Sequence, residues 1–277
     1  MQAGIFPFDE PVRALLPQRA TDLARLRVLT RAPPLPTVTV VGKYNHGKSR
    51  LLNTLLGHEA FAVADTRQTV ALQACERGGV RWLDAPGLDA DVAGQDDAVA
   101  RQAFAREADI RLLVHAAHEG ELDAAETASA SRLLDDAADS GRPVLLVLTQ
   151  IDQLADEDTL QAVRAAIERQ QPGMELHAVS ATRQARGMRE NKPLLLARSG
   201  IPALVRRLED LLAQVPQARV REAARLHARI ADDLRAAVAT RQARLDAIEQ
   251  RQQARRGGFA HDLQAVLRQV RADLEDI

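Results

Sequence analysis

Aromatic side chains make up only 3% of the 277 residues, with a single Trp and a single Tyr. Few platforms are left for stacking against unpaired bases. Cysteine is nearly absent: Cys75 is the only one, so neither a disulfide within the chain nor a cysteine-based metal centre can form. It reads as a small buried hydrophobe in a strand. No apolar run approaches the roughly 18–20 residues that a membrane-spanning helix needs. Residues 1–7 lack the charged and apolar regions of a secretory leader, and a cytoplasmic location is expected. Neither sign of charge is in excess, since 37 Lys and Arg stand against 38 Asp and Glu. The chain as a whole therefore has no pull toward nucleic acid or anionic lipid. There is no internal repeat and no low-complexity tract. What is abundant is apolar residues, 46% of the total, in a length that suits one full domain with an appendage.

One stretch stands out from this background. Gly42-Lys43-Tyr44-Asn45-His46-Gly47-Lys48-Ser49 fits the pattern G-x-x-x-x-G-K-[ST]. A β-branched run, Thr37-Val38-Thr39-Val40-Val41, precedes it, and Arg50-Leu51-Leu52-Asn53-Thr54-Leu55-Leu56 follows with helical character. Strand, loop and helix in that order predict a phosphate-binding loop. Its glycines let backbone N–H groups turn inward around an anion, and the helix N-terminus adds partial positive charge. Lys48 is placed to reach the β- and γ-phosphates, and Ser49 to offer a hydroxyl to Mg²⁺.

Three further segments follow, each after a predicted strand. Asp84-Ala85-Pro86-Gly87 comes after Val80-Arg81-Trp82-Leu83 and has the form D-x-x-G. Its Asp suits Mg²⁺ held through water, and its Gly N–H the γ-phosphate. Thr149-Gln150-Ile151-Asp152 comes after Val144–Leu148, where [NT]-K-x-D would sit. A carboxylate at Asp152 can accept from both N1–H and the 2-amino group of guanine. Adenine offers no such pair, so the carboxylate itself selects the base. Ser180-Ala181-Thr182, after Glu175–Val179, is similar to an S-A-x loop whose backbone N–H meets the guanine O6. Each segment is weak alone. Their order, with every one at a strand's C-terminal end, is where an open α/β sheet binds ligands.

On these residues the chain resembles the translation-factor-related GTPases. Gly42–Gly57 (GKYNHGKSRLLNTLLG) is most similar to the bacterial dynamin-like and septin-related branch and its tRNA-modification and ribosome-assembly relatives. The resemblance runs over about residues 37–215. It implies GTP and GDP as ligands and GTP hydrolysis as the activity. The implied nucleotide contacts are Gly42, Asn45, His46, Gly47, Lys48, Ser49, Arg50, Thr149, Gln150, Asp152, Ser180 and Ala181. Mg²⁺ falls to Ser49, Thr69 and Asp84, with Thr66 as the alternative to Thr69 because both lie in the loop before a strand expected at Val70–Cys75. The implied catalytic set is Lys48, Thr69, Gly87 and Asn45. Two departures stand out. Gln150 occupies the place of a Lys whose stem normally lies across the base and braces the phosphate loop. Leu88, directly after Gly87, occupies the place of a water-orienting Gln. In relatives with G-x-x-N-x-G-K-[ST], the residue matching Asn45 coordinates K⁺ beside the phosphates. The alternative is that Asn45 only tolerates a left-handed turn. Arg67 is either an internal arginine finger or a solvated loop residue.

The expected fold class is α/β: a P-loop GTPase domain with a mainly parallel six-stranded sheet, flanked by N- and C-terminal helices that form a bundle. Residues 1–36 read as a helical segment, broken near Pro17 and ended by Ala32-Pro33-Pro34-Leu35-Pro36. Residues 37–215 alternate strand and helix, with helices near Val92–Glu107, Glu121–Asp139, Asp156–Gln170 and Ile201–Gln214 and a basic loop across Arg183–Lys192. Residues 216–277 show apolar stripes (Leu226, Ile230, Leu234, Val238, Leu245 and Ile248; then Leu263, Val266, Leu267, Val270 and Leu274) interrupted by Gly257-Gly258. An αα-hairpin hinged at Pro216 is the expectation, with the N-terminal helix or a second copy covering its seam. The helical pattern continues to the last residues without a stop signal. Three functional classes follow. The first is a dynamin-like GTPase, with a homodimer through the GTPase domain and a protein partner or peripheral membrane contact through the helices. The second is a ribosome- or RNA-linked GTPase, and the third a slowly hydrolysing switch. The sequence offers no RNA-binding module, and no nucleic-acid partner is expected.

Overall fold

The computed structural model describes residues 9–30, 35–61, 73–84 and 108–275. Thr66, Arg67, Thr69, Gly87, Leu88 and the helix expected at Val92–Glu107 lie outside them. By its contacts the chain divides into two compact units: Ala24–Arg225, and Met1–Leu23 with Leu226–Ile277.

The larger unit is built on a six-stranded sheet. Its strands are β1 (Thr37–Gly42), β2 (Gln73–Arg77), β3 (Val80–Asp84), β4 (Ile110–Ala116), β5 (Val144–Thr149) and β6 (Glu175–Ala178), in the order β2-β3-β1-β4-β5-β6. All neighbours are parallel except the edge hairpin β2–β3, so the expected sheet is the observed one. Among the described residues the edge strand spans Gln73–Arg77, and the first part of the strand expected at Val70–Cys75 lies outside them. Cys75 is only half-buried there, although it does pack on the core. The central strands are apolar on both faces, as a sheet covered on both sides requires. Because successive side chains point to opposite faces, Val38, Val40, Ile110, Leu112, Val114, Leu145 and Val147 form one core. Leu51, Leu52 and Leu56 of α3 (Lys48–Leu56) and Leu204, Leu208 and Leu211 of the last helix join them. Leu113, Val144, Leu146 and Leu148 face the other way, in a second core with Ala130 of α4 (Ala124–Ser140) and Leu160 and Ile167 of α5 (Glu157–Gln170).

Two expectations need correction. The basic stretch Arg183–Lys192 is mostly helix, not loop: α6 spans Ala181–Arg189 and α7 spans Pro193–Arg198. The Ser180 side chain caps α6 by accepting from Arg183 N at 2.9 Å, and Gly187 packs so closely on Leu196 that a Cβ would lie 2.8 Å from its Cδ2. The expected hairpin at 216–277 is also replaced. One helix, α8, runs from Ile201 to Glu275 through both Pro216 and Gly257-Gly258. A proline in a helix interior costs about 3 kcal/mol. Just before it, Leu211 and Val215 are buried in the core, which offsets that cost. Each internal glycine costs only about 1 kcal/mol, within a segment rich in Ala, Leu, Gln and Arg. The compact unit therefore reaches beyond the expected 37–215 at both ends.

At the N-terminal edge of the sheet, buried ions join distant parts of this unit. Arg25, on α2 (Ala20–Thr30), donates to Glu222 Oε1 at 3.0 Å and Oε2 at 2.8 Å, and to Asp109 Oδ1 at 3.3 Å. Asp109 also accepts from Arg219 Nη2 at 2.6 Å and from Thr37 N at 2.8 Å. Next to them Arg111 donates to the Arg142 carbonyl oxygen at 2.9 Å. Burial, with the Arg142 charge beside it, lowers the Arg111 pKa to about 10.

In the smaller unit α1 (Asp9–Leu15) ends before a 3₁₀ turn at Pro17–Arg19. Arg19 Nε donates to Asp233 Oδ2 at 2.7 Å, joining the N-terminal segment to α8. Leu16, Leu23, Leu226 and Ile230 are buried. Val238, Leu245, Ile248, Leu263, Val266, Leu267 and Val270 are exposed. Among the described residues no helix is long and apolar enough to cross a membrane.

Candidate functional site

The site is assembled at the C-terminal ends of β1, β3, β5 and β6. β1 stops at Gly42, where a Cβ would meet the Val114 carbonyl oxygen of β4 at 2.3 Å. Only glycine lets the loop leave the sheet so close to its neighbour. The loop re-enters helix at Gly47, whose φ of 81° is left-handed, and α3 begins with Lys48. Asn45 has a φ of 60°, the conformation that the turn reading of this residue asks for. Lys48 Nζ donates to the Lys43 carbonyl oxygen at 2.6 Å.

Ser49 Oγ donates to Asp84 Oδ2 at 2.6 Å, so two of the three residues assigned to the metal are in direct contact. Asp84 is buried at the end of β3, and its Oδ1 has no hydrogen-bond partner among the described residues. Burial pushes its pKa up, against the opposing effects of the Ser49 bond and the Lys48 charge. A buried carboxylate oxygen without a partner, next to a hydroxyl, is a donor set that fits a hard cation such as Mg²⁺.

The end of β5 fastens onto the same loop. Thr149 Oγ1 donates to the His46 carbonyl oxygen at 2.6 Å. Gln150, with a left-handed φ of 58°, donates from Nε2 to the Asn45 carbonyl oxygen at 2.8 Å. The brace that a Lys would provide is thus made by a neutral amide. Two residues on, Asp152 Oδ1 accepts from Ser180 Oγ at 2.5 Å, and Ala181 starts α6. Gly42, Asn45, His46, Gly47, Lys48, Ser49, Asp84, Thr149, Gln150, Asp152, Ser180 and Ala181 therefore share one end of the sheet. Arg50 is on the exposed side of α3, its carbonyl oxygen accepting from Thr54 Oγ1 at 2.8 Å.

Behind the loop lies a polar cluster that sequence reading missed. His46 is 1% exposed. Its neighbours are His115 of β4, Glu126 in the first turn of α4, and Glu119. Burial lowers the His46 pKa, only partly opposed by Glu119 and Glu126. Lys43 pairs with Asp123, and its Nζ lies 3.4 Å from Glu126 Oε2. Two signals could have shown it: a His in the mostly apolar segment Ile110–Ala116, and the capping box formed by Asp123 and Glu126.

Residues 37–150 match the family described as 50S ribosome-binding GTPase. An uncharacterized protein of Acinetobacter baylyi is 46% identical over 268 residues, which are 97% of this chain and 64% of that protein. GTPase Der of Mycobacterium avium is 38% identical over 130 residues, 44% of this chain and 27% of its own length. The chain thus spans less than two thirds of these curated relatives. A solved bacterial dynamin pair, described as oligomerised and as sensing and tethering membranes, has a TM-score of 0.53 at 16% identity. It covers 96% of this chain and 50% of its own, a likeness of fold. A family described by ribosome binding gives no support to the expectation that nucleic acid is not a partner. The mostly parallel sheet, the glycine-bounded loop at the end of β1, the Ser49–Asp84 pair beside it and the family match over residues 37–150 give this chain the fold of a P-loop GTPase domain.

Proposed function

We propose that this chain binds GTP at the phosphate loop, hydrolyses it to GDP and phosphate, and couples nucleotide state to its helical segments in the manner of dynamin-like GTPases. The observation that carries the nucleotide reading is the fastening of Thr149 and Gln150 onto the His46 and Asn45 carbonyl oxygens. It holds the Asp152 carboxylate at a set distance from the loop N–H groups, so base and phosphates are read by one rigid frame. Lys48 offers its charge to the β- and γ-phosphates, and Gly87 its N–H to the γ-phosphate. Ser49, Asp84 and Thr69 would hold Mg²⁺, which when bound neutralises charge on the phosphates. Isothermal titration with GTP, GDP and ATP, together with a phosphate-release assay, tests this reading. ATP bound as tightly as GTP would refute it. The dynamin-like part is supported by a fold likeness over 96% of the chain, flanking helices included, and by the Arg19–Asp233 contact. The ribosome-linked reading is favoured by the family description. Nucleotide-dependent cosedimentation with large ribosomal subunits, against sedimentation with vesicles of anionic lipid, separates the two.

Asp152→Asn tests the base. The carboxylate accepts two hydrogen bonds from guanine, and an amide cannot accept both. GTP affinity should fall by about 2–4 kcal/mol, the worth of two hydrogen bonds to a charged group at roughly 1.5–3 kcal/mol each with partial rescue by the amide. Preference should move to xanthosine triphosphate, whose 2-oxo group accepts from the new NH₂. Competition binding with the two nucleotides reads this directly, and an unchanged preference for GTP would remove Asp152 from the base site.

Leu88 cannot orient water by hydrogen bonding, so attack must be organised by another group. If Asn45 holds K⁺ beside the phosphates, turnover in KCl should exceed turnover in NaCl at equal ionic strength, and Asn45→Ala should abolish the difference. Equal wild-type rates in the two salts would leave Asn45 with the turn role that its φ of 60° already gives it.

A further inference from the structure

The His46, His115 and Glu126 side chains are buried together behind the phosphate loop, each with a ligating atom within 4.8 Å of the others. We propose that they form a site for a divalent transition-metal ion, Zn²⁺ by the chemistry of its donors, with Nδ1 of both histidines and Oε1 of Glu126 as ligands.

The arrangement of the outer atoms is the main argument. A metal-bound histidine usually donates its other ring N–H to a carboxylate or a backbone carbonyl, which fixes the tautomer and aims the ligating nitrogen. His115 Nε2 is 3.0 Å from the Gly120 carbonyl oxygen, leaving Nδ1 toward Glu126 Oε1 at 2.8 Å. His46 Nε2 is 3.0 Å from Glu119 Oε1, leaving Nδ1 toward the same Glu126 oxygen at 3.3 Å. Glu126 is itself oriented, since its Oε2 accepts from Asp123 N at 3.2 Å. Tetrahedral Zn²⁺ holds nitrogen and oxygen at about 2.0–2.1 Å, which places adjacent ligand atoms roughly 3.3 Å apart. The His46–Glu126 separation of 3.3 Å matches that value, and the direct His115–Glu126 hydrogen bond of 2.8 Å opens by roughly 0.5 Å to admit the ion.

A purely protein-satisfied cluster accounts for His46 less well. Among the described residues neither of its ring nitrogens finds a hydrogen bond of acceptable geometry, although the residue is 1% exposed. A buried polar group left in that condition is destabilising. Coordination at Nδ1, with a small turn of Glu119 toward Nε2, satisfies both. Two imidazoles and one carboxylate select zinc over magnesium, which takes oxygen ligands. The site is thus chemically separate from the Ser49–Asp84 pair, though His46 belongs to the same loop. An ion there would tie that loop to β4 and α4.

The test uses the full chain, stripped of metal by a chelator and free of nucleotide, titrated with Co²⁺. The expected result is a saturable set of visible ligand-field bands at one Co²⁺ per chain, removed by one equivalent of Zn²⁺ and retained in excess Mg²⁺ with GDP. His46→Ala and Glu126→Gln should each weaken Co²⁺ binding by more than about 100-fold, and Glu119→Gln by about 10- to 100-fold. Circular dichroism establishes which variants fold, and the Glu119 change, at a half-exposed side chain, tests the site even if the buried ones do not. The absence of saturable bands in the wild-type protein would overturn the proposal. So would bands that Mg²⁺ with GDP displaces, or bands unaltered in a folded His46→Ala protein.

Discussion

Lys48→Ala is expected to abolish tight GTP binding. Lys48 is the first residue of α3, and its ammonium reaches back over the loop to the Lys43 carbonyl oxygen at 2.6 Å. That reach puts it across the space that the loop N–H groups enclose, where the β- and γ-phosphates are proposed to lie. Removing one partner of a desolvated, hydrogen-bonded charge pair typically costs 2–5 kcal/mol, about 30-fold to several-thousand-fold in Kd. Folding should be almost unaffected, because the side chain is only half-buried and the apolar face of α3 is carried by Leu51, Leu52 and Leu56. The two outcomes separate cleanly by titration calorimetry beside a thermal melt. GTP affinity within about twofold of wild type would show that the nucleotide is not held here. A Ser49→Asn change makes a complementary comparison. The Ser49 hydroxyl meets Asp84 at 2.6 Å, and a bulkier amide at that position should weaken Mg²⁺-dependent GTP binding more than GDP binding.

Why this part of the molecule was readable from sequence has a physical basis. A strand that stops at Gly42, a loop that restarts at Gly47 and a helix opened by Lys48 are set by local rules of backbone freedom and apolar spacing. So are the alternating strands, because side chains buried on both faces leave unbroken runs such as Val144–Leu148. The features that were not readable depend on partners far away in the chain. Arg25, Asp109 and Glu222 are each ordinary charged residues until the fold brings them together across 84 and 197 positions. The same holds for His46 against His115 and Glu126. The helical segment at Arg183–Lys192 was obscured by its charge, since the close Gly187–Leu196 contact that secures it is tertiary. Pro216 and Gly257-Gly258 misled in the opposite sense. They are local stop signals, and a helix continues through them when neighbouring packing or helix-favouring residues outweigh a cost of about 1–3 kcal/mol. Gln150 is a separate case. It stands where a Lys normally braces the loop, and its amide makes the 2.8 Å bond to Asn45 that joins the loop to the Thr149–Asp152 segment.

The second large effect is expected at Glu222, on the opposite edge of the sheet. Its carboxylate accepts two hydrogen bonds from Arg25, at 3.0 and 2.8 Å, with both side chains about 4% exposed. Glu222→Ala takes a two-bond carboxylate partner from the buried Arg25 guanidinium, and its other carboxylate partner, Asp109, is already engaged by Arg219 and Thr37 N. Breaking such a pair from one side costs about 3–5 kcal/mol. In a unit of about 200 residues each kcal/mol moves the melting temperature by about 2–4 °C, so a fall of about 6–20 °C is expected. The double change Arg25→Met with Glu222→Met should be milder than Glu222→Ala alone, because it removes the stranded charge and restores apolar volume. That ordering distinguishes an ion pair that specifies how α2 and the start of α8 seat on the sheet from one that supplies stability outright. The measurement is a melt of the three proteins at equal concentration without nucleotide. A Glu222→Ala melt within about 2 °C of wild type would show that the network contributes little. A double variant less stable than the single one would show that the ion pair is itself strongly stabilising.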